Sequence, residues 1–143
     1  MAAAGKGGFK STKEFRMSKI PDDVRYTETH EWVRRNGDRF MIGLTDHAQT
    51  EMGEIVMVEL PDINSQAVRG ENLGALEAVK TAEDFNSAID GTVAEVNTDL
   101  EASPDLINED PYGKGWLVVV KGSDPSHFDS LMTAEQYASF IGE

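Results

Sequence analysis

The 143-residue sequence contains no cysteine. Disulfide frameworks, thiolate metal sites and cysteine nucleophiles are therefore excluded, and any thiol chemistry must belong to something attached. No apolar run approaches the ~20 residues needed to cross a bilayer, and the N-terminus lacks the apolar stretch of a secretory signal. A soluble protein is expected. Basic residues are scarce, 13 against 26 acidic, for a net charge of −13. Five of the 13 fall within residues 1–19, so residues 20–143 carry eight basic and twenty-five acidic residues, a net of −17. Nucleic acid and anionic membrane are poor partners for such a chain, since each is bound through a basic face. Acidity of this degree instead favours steered encounters with proteins that present positive patches.

The catalytic signatures are missing as well. No Gly-x-Ser-x-Gly elbow is present, and the glycines form neither a Walker nor a dinucleotide-binding loop. Strands and helices do not alternate, which disfavours a doubly wound nucleotide-binding sheet, and no repeat of solenoid period occurs. His30-Glu31, Asp46-His47 and His127 are the candidates for a metal site. Neighbours on a strand point to opposite faces, however, and no fixed multi-ligand spacing links these residues. Neither a metal site nor a catalytic residue is expected, and the chain does not read as an enzyme.

What is present is a series of short strands separated by turn signals. Residues 1–19, rich in Gly, Ala, Ser and Thr, read as a flexible leader, either an expression scar or a targeting segment, with Met17-Ser18 as a possible natural start. Residues 20–143 read as one domain, long enough to bury a core unaided. His30–Arg35, Asn36-Gly37-Asp38 and Arg39–Leu44 predict a tight hairpin. Thr45 predicts an N-cap for a short helix that Gly53 ends in the left-handed conformation, followed by a strand over Glu54–Leu60. After Asp90-Gly91, residues 92–97 alternate as a half-buried strand does. Residues 98–115 read as loop with one helical turn at Pro104–Ile107, and Trp116–Val120 as a strand. Asp124 predicts a cap with Pro125 at the first helical position, and Thr133 with Gln136 a capping box for a last helix. The pattern predicts a mainly β barrel or sandwich, with short helices in one insert and at the C-terminus.

The strands converge on one stretch. Leu73 to Val79 is an apolar, β-compatible run, Lys80 stands at its crest, and a second run descends through Phe85, Ala88 and Ile89 to Val93. It reads as a hairpin with a lysine at its tip. Beyond residue 20 the only other lysines are Lys114 and Lys121. A solvated tip lysine, with an ordinary pKa near ~10.4, is a poor catalyst. It is either surface decoration or an acceptor for a group attached by another enzyme, whose chemistry the attached arm then carries. Composition and spacing leave both open.

Further motifs bear on that choice. Glu77-Ala78-Val79-Lys80, Asp84 and Ser87-Ala88-Ile89-Asp90-Gly91-Thr92-Val93 resemble the lipoyl-lysine hairpin of the H-protein family of the glycine cleavage system. Tyr26 with His30-Glu31-Trp32 is similar to that family's opening motif, and Gly43–Gln49, Gly53–Val56 and Leu60-Pro61 to its next segments. Ser103–Asn108 with Pro111-Tyr112-Gly113-Lys114-Gly115-Trp116 resembles its late loop. Together these cover roughly residues 20–143. Ala78 replaces a common serine, and Thr81-Ala82-Glu83 is a more acidic descent than usual. Val79 and Thr81 flank Lys80 where a biotin carrier has methionines.

The resemblance implies a barrel-sandwich hybrid of the lipoyl/biotinyl type and a non-catalytic carrier. It implies lipoate held as N6-lipoyl-lysine on Lys80, with Glu77 and Val79 beside it, attached by a lipoyl-transferring enzyme. The arm would take an aminomethyl group from glycine decarboxylase (P protein) to the tetrahydrofolate-dependent aminomethyltransferase (T protein) and be reoxidised by lipoamide dehydrogenase (L protein). Glu31, Thr29 and Asp84 match positions that hold the cargo. A monomer is implied, in a bacterial cytoplasm or a mitochondrial matrix. The alternative function is a lipoate-storage or donor module for other lipoyl-dependent systems.

Overall fold

The computed structural model describes residues 18–143. The expected leader lies outside the described residues except for Ser18 and Lys19. Their backbone amides donate to the carboxylates of Glu143 and Asp46, at 2.8 and 2.9 Å.

The fold is mainly β, as expected, and its strands form two antiparallel sheets, neither closed into a barrel. In chain order the described elements are β1 (Arg25–Tyr26), β2 (Glu31–Asn36), β3 (Arg39–Leu44), α1 (Asp46–Met52), β4 (Ile55–Glu59), β5 (Gln66–Ala67), β6 (Asn72–Ala78), β7 (Ala82–Asn86), β8 (Gly91–Val96), α2 (Asp99–Ala102), α3 (Leu106–Glu109), β9 (Val118–Gly122), α4 (Ser126–Asp129) and α5 (Ala134–Phe140). The larger sheet runs β1-β2-β3-β9-β8-β5 and the smaller β4-β6-β7. Both contribute to one core. Val33, Ile42, Val93, Val118 and Val120 come from the larger sheet, and Ile55, Leu76 and Phe85 from the smaller. A second cluster of Val24, Tyr26, Trp32 and Tyr137 fixes the last helix to the start of the domain, with the Tyr26 and Tyr137 rings stacked at 4.5 Å.

Local signals set most of these elements. Asn36 pairs with Arg39, so Gly37 and Asp38 form the two-residue loop, with Gly37 at φ 67° in the first position. Thr45 accepts the Ala48 amide at 3.1 Å to start α1. Thr133 and Gln136 form both halves of the capping box.

Four expectations need correction. Gly53 ends α1 with positive φ, but its ψ of −161° lies outside the left-handed helical well, in a region open essentially to glycine alone. The segment 98–115 holds two helical turns, α2 and α3, where one was expected. Asn97 opens the first of these by accepting the Asp99 amide at 3.3 Å. The last long strand begins at Val118, two residues late. There the Asn97 side-chain amide donates to the carbonyls of Lys114 and Trp116, so a side chain satisfies Trp116 in place of the ladder. Pro125 precedes the first helical residue of α4, while Asp124 still accepts the Ser126 amide at 3.0 Å.

Gly74 marks where the small sheet is tightest. A Cβ there would run into the Glu59 carbonyl oxygen of β4 and lie 2.7 Å from the Phe85 ring. Backbone cannot give way as a flexible side chain can, so Gly74→Ala is expected to cost about 1–3 kcal/mol by overpacking. A urea unfolding midpoint lowered at constant slope would show it.

Candidate functional site at the lysine hairpin

The tip between β6 and β7 is Val79-Lys80-Thr81. The Ala78 amide closes it on the Thr81 carbonyl at 2.8 Å, and the Val79 amide ties it sideways to the Glu54 carbonyl at 2.9 Å. Lys80 is exposed. No carboxylate among the described residues lies within 4.0 Å of its ammonium. Its methylene stem rests on Gly53, where a Cβ would sit 3.4 Å from Cγ, Cδ and Cε. Asn108 fastens this floor. Its side chain accepts the Ile55 amide at 2.9 Å and donates to the Gly53 carbonyl at 2.9 Å and to Gln49 Oε1 at 2.8 Å. Glu77 is exposed and pairs with Ala82 and Met57 across the small sheet, and Val79 is 70% exposed.

Glu31 is only 1% exposed. One carboxylate oxygen accepts the hydroxyls of Thr27 and Thr29, each at 2.6 Å, and the other accepts the Asn86 backbone amide at 3.1 Å. Burial pushes its pKa above the ordinary 4.5, and these donors oppose the shift by stabilising the anion.

Two clefts flank this carboxylate. One of about 370 Å³ contains Glu31 and Thr29 together with Arg69, Ser87 and Ser130. The other, about 270 Å³, is lined by Thr29, His47, Glu51, Leu76, Glu83 and Asp84 among others. Thr29 is therefore bonded to Glu31 and shares a cleft with Asp84, whereas Glu31 and Asp84 do not share one. Glu83 and Asp84 lie one and two residues into β7, so the second cleft reaches the hairpin just past its tip.

His30 also lines this cleft and was not singled out with the cargo-holding positions. It adopts φ 70°, an uncommon conformation for a residue with a side chain. Its Nδ1 lies 2.7 Å from the Tyr137 hydroxyl and its ring 5.0 Å from that of His47. Burial, then His47, pushes its pKa below 6.5, against an opposing pull from Glu51. Burial raises the Tyr137 pKa to about 12. The spacing of His47 and Glu51, four apart on α1, was a signal that these two share a face. His127 sits apart from the other histidines, within 3.9 Å of Asp90 and 3.6 Å of Asp124.

The fold and the site thus define a small antiparallel β domain that exposes one lysine at a hairpin tip, near a cleft of mixed polarity. The chain matches the family model described as glycine cleavage H-protein over residues 24–143. The glycine cleavage system H protein of Acinetobacter baumannii is 49% identical over 117 residues, covering 82% of this chain and 94% of its own length. That of Geobacillus kaustophilus is 48% identical over 123 residues, covering 86% and 97%. The crystal structure of a glycine cleavage system H protein from Mycobacterium marinum superposes with a TM-score of 0.80 at 35% identity, over 87% of this chain and all of that one. The chain belongs to the glycine cleavage H-protein family.

Removing the Glu31 carboxylate takes the acceptor from the half-buried Asn86 amide and from the hydroxyls of Thr27 and Thr29. Glu31→Ala is expected to cost about 1–2 kcal/mol in urea unfolding, since the donors left behind are only partly buried. With its folded-state pKa raised, the native state binds more protons than the unfolded state just above pH 4.5, so this group's contribution to stability falls as pH rises through that window. Glu31→Gln keeps an acceptor for Asn86 and should abolish that decline, which stability curves from pH 4 to 8 would reveal.

Proposed function

We propose that this protein is the lipoyl carrier of a glycine cleavage system, with lipoate in amide linkage to Lys80. The observation that carries the reading is the tip itself: a lone exposed lysine on a hairpin fixed along one side by Val79–Glu54 and from below by Gly53 and Asn108. The residues fit the group, because the lysine is exposed at the tip with its stem along Gly53, and no described carboxylate lies within 4.0 Å of its amine.

Held there, lipoate would supply a reversible disulfide suited to carrying an aminomethyl group between glycine decarboxylase and the aminomethyltransferase, with lipoamide dehydrogenase to restore its oxidised form. This chain's residues do the rest. Glu77 and Val79 flank the attachment point and face the enzymes that approach it. The cleft just past the tip offers carboxylates from Glu51, Glu83 and Asp84 to a protonated amine, which gains charge-assisted hydrogen bonds there. Thr29 stands at its margin, and Glu31 holds Thr29 in place through the 2.6 Å bond, acting on the cargo through its neighbour. The protein works as a monomer in the compartment that houses the three enzymes.

Intact-mass measurement after expression with lipoate and a lipoyl-attaching enzyme should show one lipoyl increment, located on the peptide containing Lys80. Lys80→Arg should unfold at the wild-type urea midpoint, carry no increment and fail to support glycine–CO2 exchange with glycine decarboxylase. Exchange at the wild-type rate in that variant would sink the proposal.

A further inference from the structure

Among the described residues, five large apolar side chains stand exposed, and three of them gather at the tip: Val56 at 49%, Met57 at 57% and Val79 at 70%. They meet for a structural reason. β4 pairs with β6 with a register shift between Ile55 and Met57, which inserts Val56 as an extra residue. Such bulges re-aim side chains, and here both Val56 and Met57 emerge while Ile55 stays in the core. The Val79–Glu54 bond lays Val79 alongside the same segment. Exposed glutamates rim the patch: Glu54 and Glu59 bracket it along the strand, and Glu77 pairs across from Met57.

β4 is an edge strand, and an exposed apolar edge is a liability unless something covers it or forbids pairing. A second copy is a poor cover, because the rim is acidic and the chain carries a net charge of −13. The complementary surface is apolar with a basic margin.

The length of the lysine decides which partner that is. The ammonium stands on a four-carbon stem, so an enzyme that acylates it must bring its own active site down onto the residues around the tip. Enzymes that act on the far end of a lipoyl arm have no such need. We infer that Val56, Met57 and Val79, with their glutamate rim, are the docking surface for the enzyme that attaches the lipoyl group, and that this enzyme presents an apolar groove edged with Lys or Arg. The inference rests on the carrier reading above. In the step it serves, the Lys80 amine attacks the carbonyl carbon of a lipoyl adenylate that the enzyme makes from lipoate and ATP. The C–N bond forms as the C–O bond to AMP breaks, and the amine proton is lost to a base of the enzyme or to water.

The test uses unlipoylated protein with a purified lipoate ligase, lipoate and ATP, following initial rates by intact mass. Val56→Ser/Met57→Ser should lower kcat/KM for attachment on the order of tenfold, as loss of two anchoring side chains does. Glu59→Lys should lower it too and flatten its salt dependence. Once driven to full lipoylation with excess ligase, the double variant should be reduced by lipoamide dehydrogenase and NADH at the wild-type rate. Attachment within twofold of wild type would overturn the inference, as would an equal loss in both reactions. Failure of the wild-type protein to accept a lipoyl group would instead overturn the carrier reading, and the docking surface with it.

Discussion

One carboxylate joins the two sheets next to the site. Glu31 opens β2 of the larger sheet, and its side chain accepts the amide of Asn86, the last residue of β7 at the edge of the smaller. The two threonine hydroxyls hold the turn that leads into β2 against the same carboxylate. Burying this charge costs several kcal/mol, and three hydrogen bonds to an anion, each worth roughly 1.5–3 kcal/mol, offset it to within a small remainder. Stability is therefore a weak reason for the arrangement. Its stronger effect is geometric: the base of the lysine hairpin has one position relative to the turn at Thr29, and the edge strand ends on a satisfied amide.

The other end of the hairpin is fixed by different means. Asn108 reaches from α3 to bind the start of β4 and the end of α1 together, so Gly53 and Glu54 form one floor. Val79 bonds to that floor and the Lys80 stem lies on it. Glycine at position 53 answers one demand, the positive φ that ends the helix, and the lysine stem packs along it at ordinary contact distance. The hairpin is thus held by directional bonds on both sides of Lys80, through the amides of Ala78 and Val79 and the carbonyl of Thr81.

Much of this was legible from short-range chemistry. The turn at Gly37, the caps at Thr45 and Thr133 and the crest at Lys80 depend on residues within a few positions of one another, where local patterns suffice. The start of β9 was not, since it hangs on the Asn97 side chain reaching carbonyls 17 and 19 residues away. The site divides in the same way. Lys80 stands out in any reading because a tip needs no partners. The cleft is assembled from the β1–β2 turn, α1, β6 and β7, and no sequence period links Thr29, Glu51 and Asp84. Glu31, singled out by its motif, is buried and hydrogen-bonded to Thr29, and the two line one cleft together, a placement that no local pattern announces.

The cleft's electrostatics follow from how its histidines are kept. Burial pushes the His30 pKa below its ordinary 6.5, and its Nδ1 is engaged by a tyrosine hydroxyl itself bonded to Thr45 at 2.9 Å. Because the folded-state value is depressed, the unfolded chain binds the extra proton first. This group's contribution is complete above pH 6.5 and is lost as pH falls through the folded value. At neutral pH His30 therefore adds no positive charge to a wall that already carries Glu51, Glu83 and Asp84. A cleft of that sign attracts a cation and repels the acidic surface around it.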